Sequence, residues 1–168
     1  MHVTVPFPEA LELVLQGAQL PPIIASATCS GSTLRVELDL RTVPSPPFAL
    51  RAITALAPIV RVLATFRSFE AGTVTFDLVV RAGSIPVQRL LNQFTGLLSA
   101  QLRKHGLPEQ LATVKQGVDG GLQAVVDLQA AAALRTRGLT VTRFAIDEGA
   151  IVAAATVQGF VVHRAGEV

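Results

Sequence analysis

LATFRSFEAGTVTFDL, Leu63 to Leu78, has a partner further along the chain in LATVKQGVDGGLQAVVDL, Leu111 to Leu128. Both begin Leu-Ala-Thr, continue with an apolar residue and a cation, pass an acidic residue and glycine, and close on Asp-Leu. Glycine supplies the positive φ that a tight hairpin turn needs, and apolar residues alternate on either side of it. In the first stretch Val74, Phe76, Leu78 and Val80 share one face of the arm that follows the turn. In its partner Leu122, Ala124, Val126 and Leu128 do the same. A period of two is the pattern of a half-buried strand. Each stretch therefore predicts a β-hairpin.

The same signature occurs twice more, at CSGS (29–32) and DEG (147–149). After the first of these, Leu34, Val36, Leu38 and Leu40 oppose Arg35, Glu37, Asp39 and Arg41. After the second come Ile151, Ala153, Ala155 and Val157. Helical periodicity fills the gaps. Residues 84–106 place Val87, Leu90, Leu91, Phe94, Leu97, Leu98 and Leu102 on one face of a 3.6-residue period. Ser84 can cap this helix, Pro86 suits its first turn, Arg103, Lys104 and His105 complement its dipole, and Gly106 ends it. Shorter helices are predicted at 8–16, 47–57 and 128–137, the last capped by Asp127 and stopped by Gly138.

The resulting order is β-α-β-β-α-β twice in tandem, over about 2–69 and 74–146, with a last strand at 150–157. The fold expected is α+β: repeated helix-plus-hairpin units, as two ferredoxin-like halves, forming a curved, mainly antiparallel sheet with helices on one face. Residues 1–168 fit one compact domain, read as two pseudo-repeated halves at 2–69 and 74–157.

Composition restricts function. Half the residues are apolar, 15% are charged, and the mean hydropathy is +0.50. No transmembrane segment is expected, because the longest apolar window, Pro46 to Phe66, is broken by Arg51, Arg61 and prolines, and Gly149 to Val162 falls short of the about 20 residues a spanning helix needs. Glu9 and Glu12 interrupt the first apolar stretch, so no signal peptide is expected, and with Cys29 alone the location expected is cytoplasmic. A net charge of +2 and the absence of Tyr and Trp argue against nucleic acid.

Catalytic sets are not visible. Glu70, Asp119, Asp147 and Glu148 sit in turns, and their spacing is not that of a calcium loop. Asp39 and Asp77 fall on the polar face of strands, and Asp127 is a helix cap. His2, His105 and His163 lack metal-ligand spacing, and nothing near Cys29 would activate a thiol. GVDGG (117–121) lacks a dinucleotide or phosphate signature and precedes a strand. Arg135 and Arg137 could hold an anion, though cations at a helix end are ordinary. No cofactor or metal is expected.

What remains is the apolar surplus. PFALRAITALAP (47–58) is apolar round most of its circumference, and AIVAAATVQGFVV (150–162) is apolar on both faces, so each needs cover on two sides. The leading expectation is a non-catalytic binding protein with an apolar pocket or face for a hydrophobic small molecule or lipid. Its candidate lining is Phe48, Ile53, Leu56, Phe94, Leu97 and Leu98, for each of which plain core packing is the competing reading. A homo-oligomeric assembly protein is the second reading and an enzyme with dispersed polar residues the third.

Overall fold

The computed structural model describes residues 1–84 and 91–159, with Gln93 and Phe94 as backbone only. The chain runs β1 (His2–Pro6), α1 (Phe7–Leu15), β2 (Ile24–Ser30), β3 (Thr33–Asp39), α2 (Phe48–Leu56), β4 (Ile59–Glu70) and β5 (Thr73–Arg81). It continues with α3 (Leu91–Lys104), β6 (Ala112–Gln116), β7 (Leu122–Asp127), α4 (Leu128–Ala133), β8 (Leu139–Asp147) and β9 (Ala150–Val157). The fold is α+β, and all strand pairing is antiparallel.

The strands form two sheets. One has six strands in the order β2-β3-β4-β5-β7-β6, and the other has three in the order β1-β9-β8. The two echoed stretches are the hairpins β4–β5 and β6–β7, and they stand back to back in the larger sheet. Their second arms meet at the centre, with Thr73 opposite Asp127 and Leu78 opposite Leu122. The first arm of each hairpin lies outside its own second arm, so the order β4-β5-β7-β6 reads the same from either end.

Turn chemistry acts as expected at the hairpin tips. Ala71 and Gly72 both have positive φ, +49° and +84°, as do Glu148 and Gly149, which marks two-residue turns whose twist matches the strands they join. Asp127 caps α4 by accepting from the Ala130 amide at 2.8 Å. α4 ends at Ala133, short of the predicted 137. At the end of α3 Gly106 turns left-handed (φ +68°) and the Leu107 amide reaches back to the Leu102 carbonyl at 2.9 Å. The predicted start of this helix, including Pro86, Val87 and Leu90, lies outside the described residues.

One face of the six-stranded sheet carries nearly all of the core. Along β5, Val74, Phe76, Leu78 and Val80 follow each other at every second position; Val60, Val62, Ala64 and Phe66 do so along β4. The Val80 end packs against α2 and α3 through Leu50, Ile53, Leu91 and Leu97. The Val74 end packs against the smaller sheet through Phe144 and Ile146, and the Phe66 and Phe144 rings lie 6.2 Å apart. Leu78 touches both clusters.

The opposite face is mainly polar, with Leu63 and Val79 paired on it. Glu37 of β3 accepts from Arg61 of β4 at 3.0 Å, and Asp77 of β5 accepts from Arg67 at 2.9 Å and from Gln123 of β7 at 3.1 Å. A face bearing such pairs faces water without a cover. The need for cover, inferred from composition, falls elsewhere. α2 buries only Leu50 and leaves Phe48 84% and Leu56 78% exposed. β9 lies between β1 and β8, and its residues are half-buried or exposed.

Candidate functional site

Between α3 and the apolar face of the six-stranded sheet lies a part-open cavity of about 250 Å³. α3 supplies Leu91, Leu97, Leu98 and Gln101, which recur at helical spacing on the face turned to the sheet. Every strand of the sheet contributes: Ile24 from β2, Leu38 from β3, Val62 from β4, Leu78 and Val80 from β5, Leu122 from β7 and Val114 from β6. Alternation brings these side chains together, since Ile24 pairs with Leu38, Val62 with Val80, and Leu78 with Leu122 across neighbouring strands. Ile23, just before β2, completes the described lining.

The walls are Ile, Leu and Val with a single exception, Gln101. Its side-chain oxygen Oε1 is buried, with less than 1 Å² accessible, and has no hydrogen-bond partner among the described residues. No ionisable side chain is among the described lining residues. A charged group would lose its hydration there without a compensating partner. A wider depression beside α1 is lined by Glu9, Glu12, Leu13, Leu15 and Gln16, and its carboxylates are exposed to water. It lacks the convergence of apolar walls that holds a ligand.

Of the residues singled out in the sequence, Leu97 and Leu98 line the cavity. Ile53 is half-buried against the helix-covered end of the core. Phe48 and Leu56 stand exposed on α2, away from that lining. The Phe94 side chain lies outside the described residues. Arg135 and Arg137 are exposed beyond the end of α4. The strand residues and Gln101 were not anticipated. For Gln101 a signal existed: it lies three and four positions after Leu98 and Leu97, where the helix stripe calls for an apolar residue.

Among the described residues the polar groups do not assemble into a catalytic set. The Arg41 guanidinium donates twice to Asp39, at 2.9 and 2.8 Å, and holds its carboxyl below the usual range. Arg67 donates once to Asp77, at 2.9 Å, and likewise holds its carboxyl below the usual range, with Gln123 adding to the effect. Glu37 is engaged by Arg61. Cys29 packs half-buried against the Val74 cluster, and burial pushes its thiol up, away from the thiolate a nucleophile requires. Among the described residues no group of His, Cys, Asp and Glu is placed to hold a metal ion, and no helix is long and apolar enough to cross a membrane.

Compared with family models, with curated proteins and with solved structures, the chain matches none of them.

Proposed function

We propose that the protein is a non-catalytic binding protein that holds a hydrophobic small molecule, or one chain of a lipid, between α3 and the six-stranded sheet. The observation that carries this reading is the cavity, whose described lining is Ile, Leu, Val and Gln101, with no ionisable side chain among those residues. Energetics support it. Each CH2 group that an occupant buries against these walls contributes about 0.8 kcal/mol. By the standard that a cavity of about 150 Å³ accepts benzene, this one accepts about ten heavy atoms.

Within this reading residues 1–168 form one domain of two related halves, about 2–69 and 74–157, each ferredoxin-like in its element order. The recurrence of β-α-β-β-α-β along the chain supports the pairing of halves. Both contribute to the cavity, the first through Ile24, Leu38 and Val62 and the second through α3, β5, β6 and β7. The edges of a flat six-stranded sheet lie about 24 Å apart. A sheet bowed around α3, as this reading expects, lets both edge strands reach one ligand. A cytoplasmic location belongs to the same reading, supported by the single unpaired Cys29.

The test is native mass spectrometry of the purified protein, followed by solvent extraction, with Leu98→Trp as the cavity-filling variant. The wild type should carry or take up a hydrophobic molecule, and the variant should lose it while its far-UV circular dichroism is unchanged. A wild type that carries nothing and takes up no medium-chain hydrocarbon compound refutes the reading. A second reading, homo-oligomeric assembly, is favoured by the exposure of Phe48 and Leu56. Light scattering after size exclusion decides it, because a monomer removes it.

A further inference from the structure

We propose that the uncovered face of the six-stranded sheet binds a small phosphate monoester as its dianion, through Arg35, Arg61 and Arg81. The register sets Arg61 of β4 directly opposite Arg81 of β5, and side chains so paired have Cβ atoms about 4.5–5.5 Å apart. Like charges directly opposite destabilise a sheet unless an anion lies between them. Glu37, opposite Arg61 on its other side, compensates one charge only. Arg35 adds a third cation two positions before Glu37, on the same face and exposed. The other carboxylates nearby are engaged elsewhere, Asp39 by Arg41 and Asp77 by Arg67 and Gln123. Among the described residues Arg35 and Arg81 have no acidic partner within ion-pair distance.

Charge and geometry select the ligand. Three arginines and Glu37 leave two positive charges uncompensated, which a phosphate monoester dianion balances and a single carboxylate does not. Arg35 and Arg81 are two strands and two residues apart, about 12 Å between Cα atoms at 4.8 Å per strand and 3.3 Å per residue. Side chains as long as arginine's close that gap from both sides. Their guanidinium forks then meet over β4, between Arg61 and Leu63, where each donates to a different oxygen of one tetrahedral phosphate. Leu63 and Val79, opposite each other beside this point, offer apolar ground to the organic part of the ester, and Val79 is exposed. An anionic membrane fits less well, because Glu70 and Asp77 share this face and would be pressed against it. The site lies on the side of the sheet away from the cavity and does not rest on the cavity reading.

The experiment titrates phenyl phosphate into the full chain by calorimetry at about pH 8, where a monoester with a second pKa of about 6 is doubly charged. Methyl phenyl phosphate, the singly charged diester, is the comparison. Wild-type protein should bind one phenyl phosphate, about five- to tenfold more tightly than the diester. Arg35→Gln and Arg81→Gln should each weaken the monoester by about five- to tenfold, between the strongest exposed ion pairs and the weakest hydrogen bonds to charged groups. Lys115→Gln removes a cation from the same face three strands away from β4, about 14 Å, beyond the screening length of about 10 Å in 0.1 M salt. It should leave the affinity unchanged. No binding by the wild type overturns the inference, and so does equal affinity for monoester and diester. A loss in Lys115→Gln as large as in Arg81→Gln overturns it too, since the attraction would then be diffuse. Binding to vesicles containing phosphatidic acid without binding to phenyl phosphate refutes it in favour of a lipid surface. In every case the cavity reading stands or falls by its own test.

Discussion

Gly72→Ala should cost far more than the single methyl group it adds. Gly72 is buried at the β4–β5 tip with φ at +84°, a conformation that costs an L-residue about 1–2 kcal/mol. A Cβ built there would lie 2.6 Å from Cβ of Gln129, so α4 or the tip must shift. Gln129 has little freedom to yield. Its amide nitrogen donates to the Leu139 carbonyl at 2.8 Å and its amide oxygen accepts from the Val141 backbone at 2.8 Å. It thereby imitates a strand neighbour for the edge strand β8 and fastens the smaller sheet to α4. Losing both bonds adds about 0.5–1.5 kcal/mol each, giving a total of about 2–5 kcal/mol. For a chain of this length that lowers the melting temperature by about 4–20 °C. Urea unfolding followed by circular dichroism measures it, with Gln129→Ala and the double variant completing a cycle. In the Gln129→Ala background the two bonds are already absent, so Gly72→Ala should cost only its backbone and residual steric part. A loss below about 1 kcal/mol, or strict additivity across the cycle, would refute the reasoning.

Other consequences follow from the ion pairs and the thiol. Arg67 and Arg41 hold Asp77 and Asp39 below the ordinary carboxylate range, so the stability these groups add is complete above the unfolded value of about 3.9 and is lost as pH falls through the lower folded values. The urea midpoint should therefore decline below about pH 4, and Asp77→Asn should flatten that decline; an unchanged acid limb would contradict the assignment. Cys29, half-buried with its thiol raised, should react slowly with a disulfide reagent in the native protein and quickly in urea. Rapid native labelling would show a thiol far more accessible than the packing around Val74 allows.

Local chemistry made the hairpins legible and left their assembly obscure. Glycine at 31, 72 and 149 and alternation on either side of the turns were enough to find the strands, and Asp127 and Gly106 were enough to end helices. Partition into two sheets was not readable. β8 and β9 alternate as β4 and β5 do, and only distant pairing with β1 separates them from the larger sheet. The site was half legible for a related reason. A helix stripe reveals Leu97 and Leu98 by period, but a strand residue such as Leu38 or Leu122 looks the same whether it touches a core neighbour or an empty space. α2 was misleading because composition shows that a surface is apolar and not whether the chain itself covers it.

The apolar face of the six-stranded sheet is longer than any one covering element, and this explains why a cavity arises where it does. Strand β4 has 12 residues and β5 has 9, about 40 and 30 Å at 3.3 Å per residue, so their inward stripes outrun the about 21 Å of α3. The small sheet seals the Val74–Phe76 end with ring-to-ring contacts, where large flat side chains leave little space. At the other end the facing residues are Val60, Val62, Val80 and Leu122, smaller side chains opposite a helix whose stripe is Leu91, Leu97 and Leu98. Leucines on a helix leave a hollow over short valines that an aromatic side chain would fill, and position 101 carries a glutamine. Among the described residues the two clusters share Leu78 alone, so a lesion at the sheet junction and a lesion at the cavity should separate. Gly72→Ala, which loosens the β8 junction, should lower stability while leaving the uptake of a medium-chain hydrocarbon compound unchanged. Leu98→Trp should do the reverse, and coupled losses in both variants would mean that the clusters act as one body.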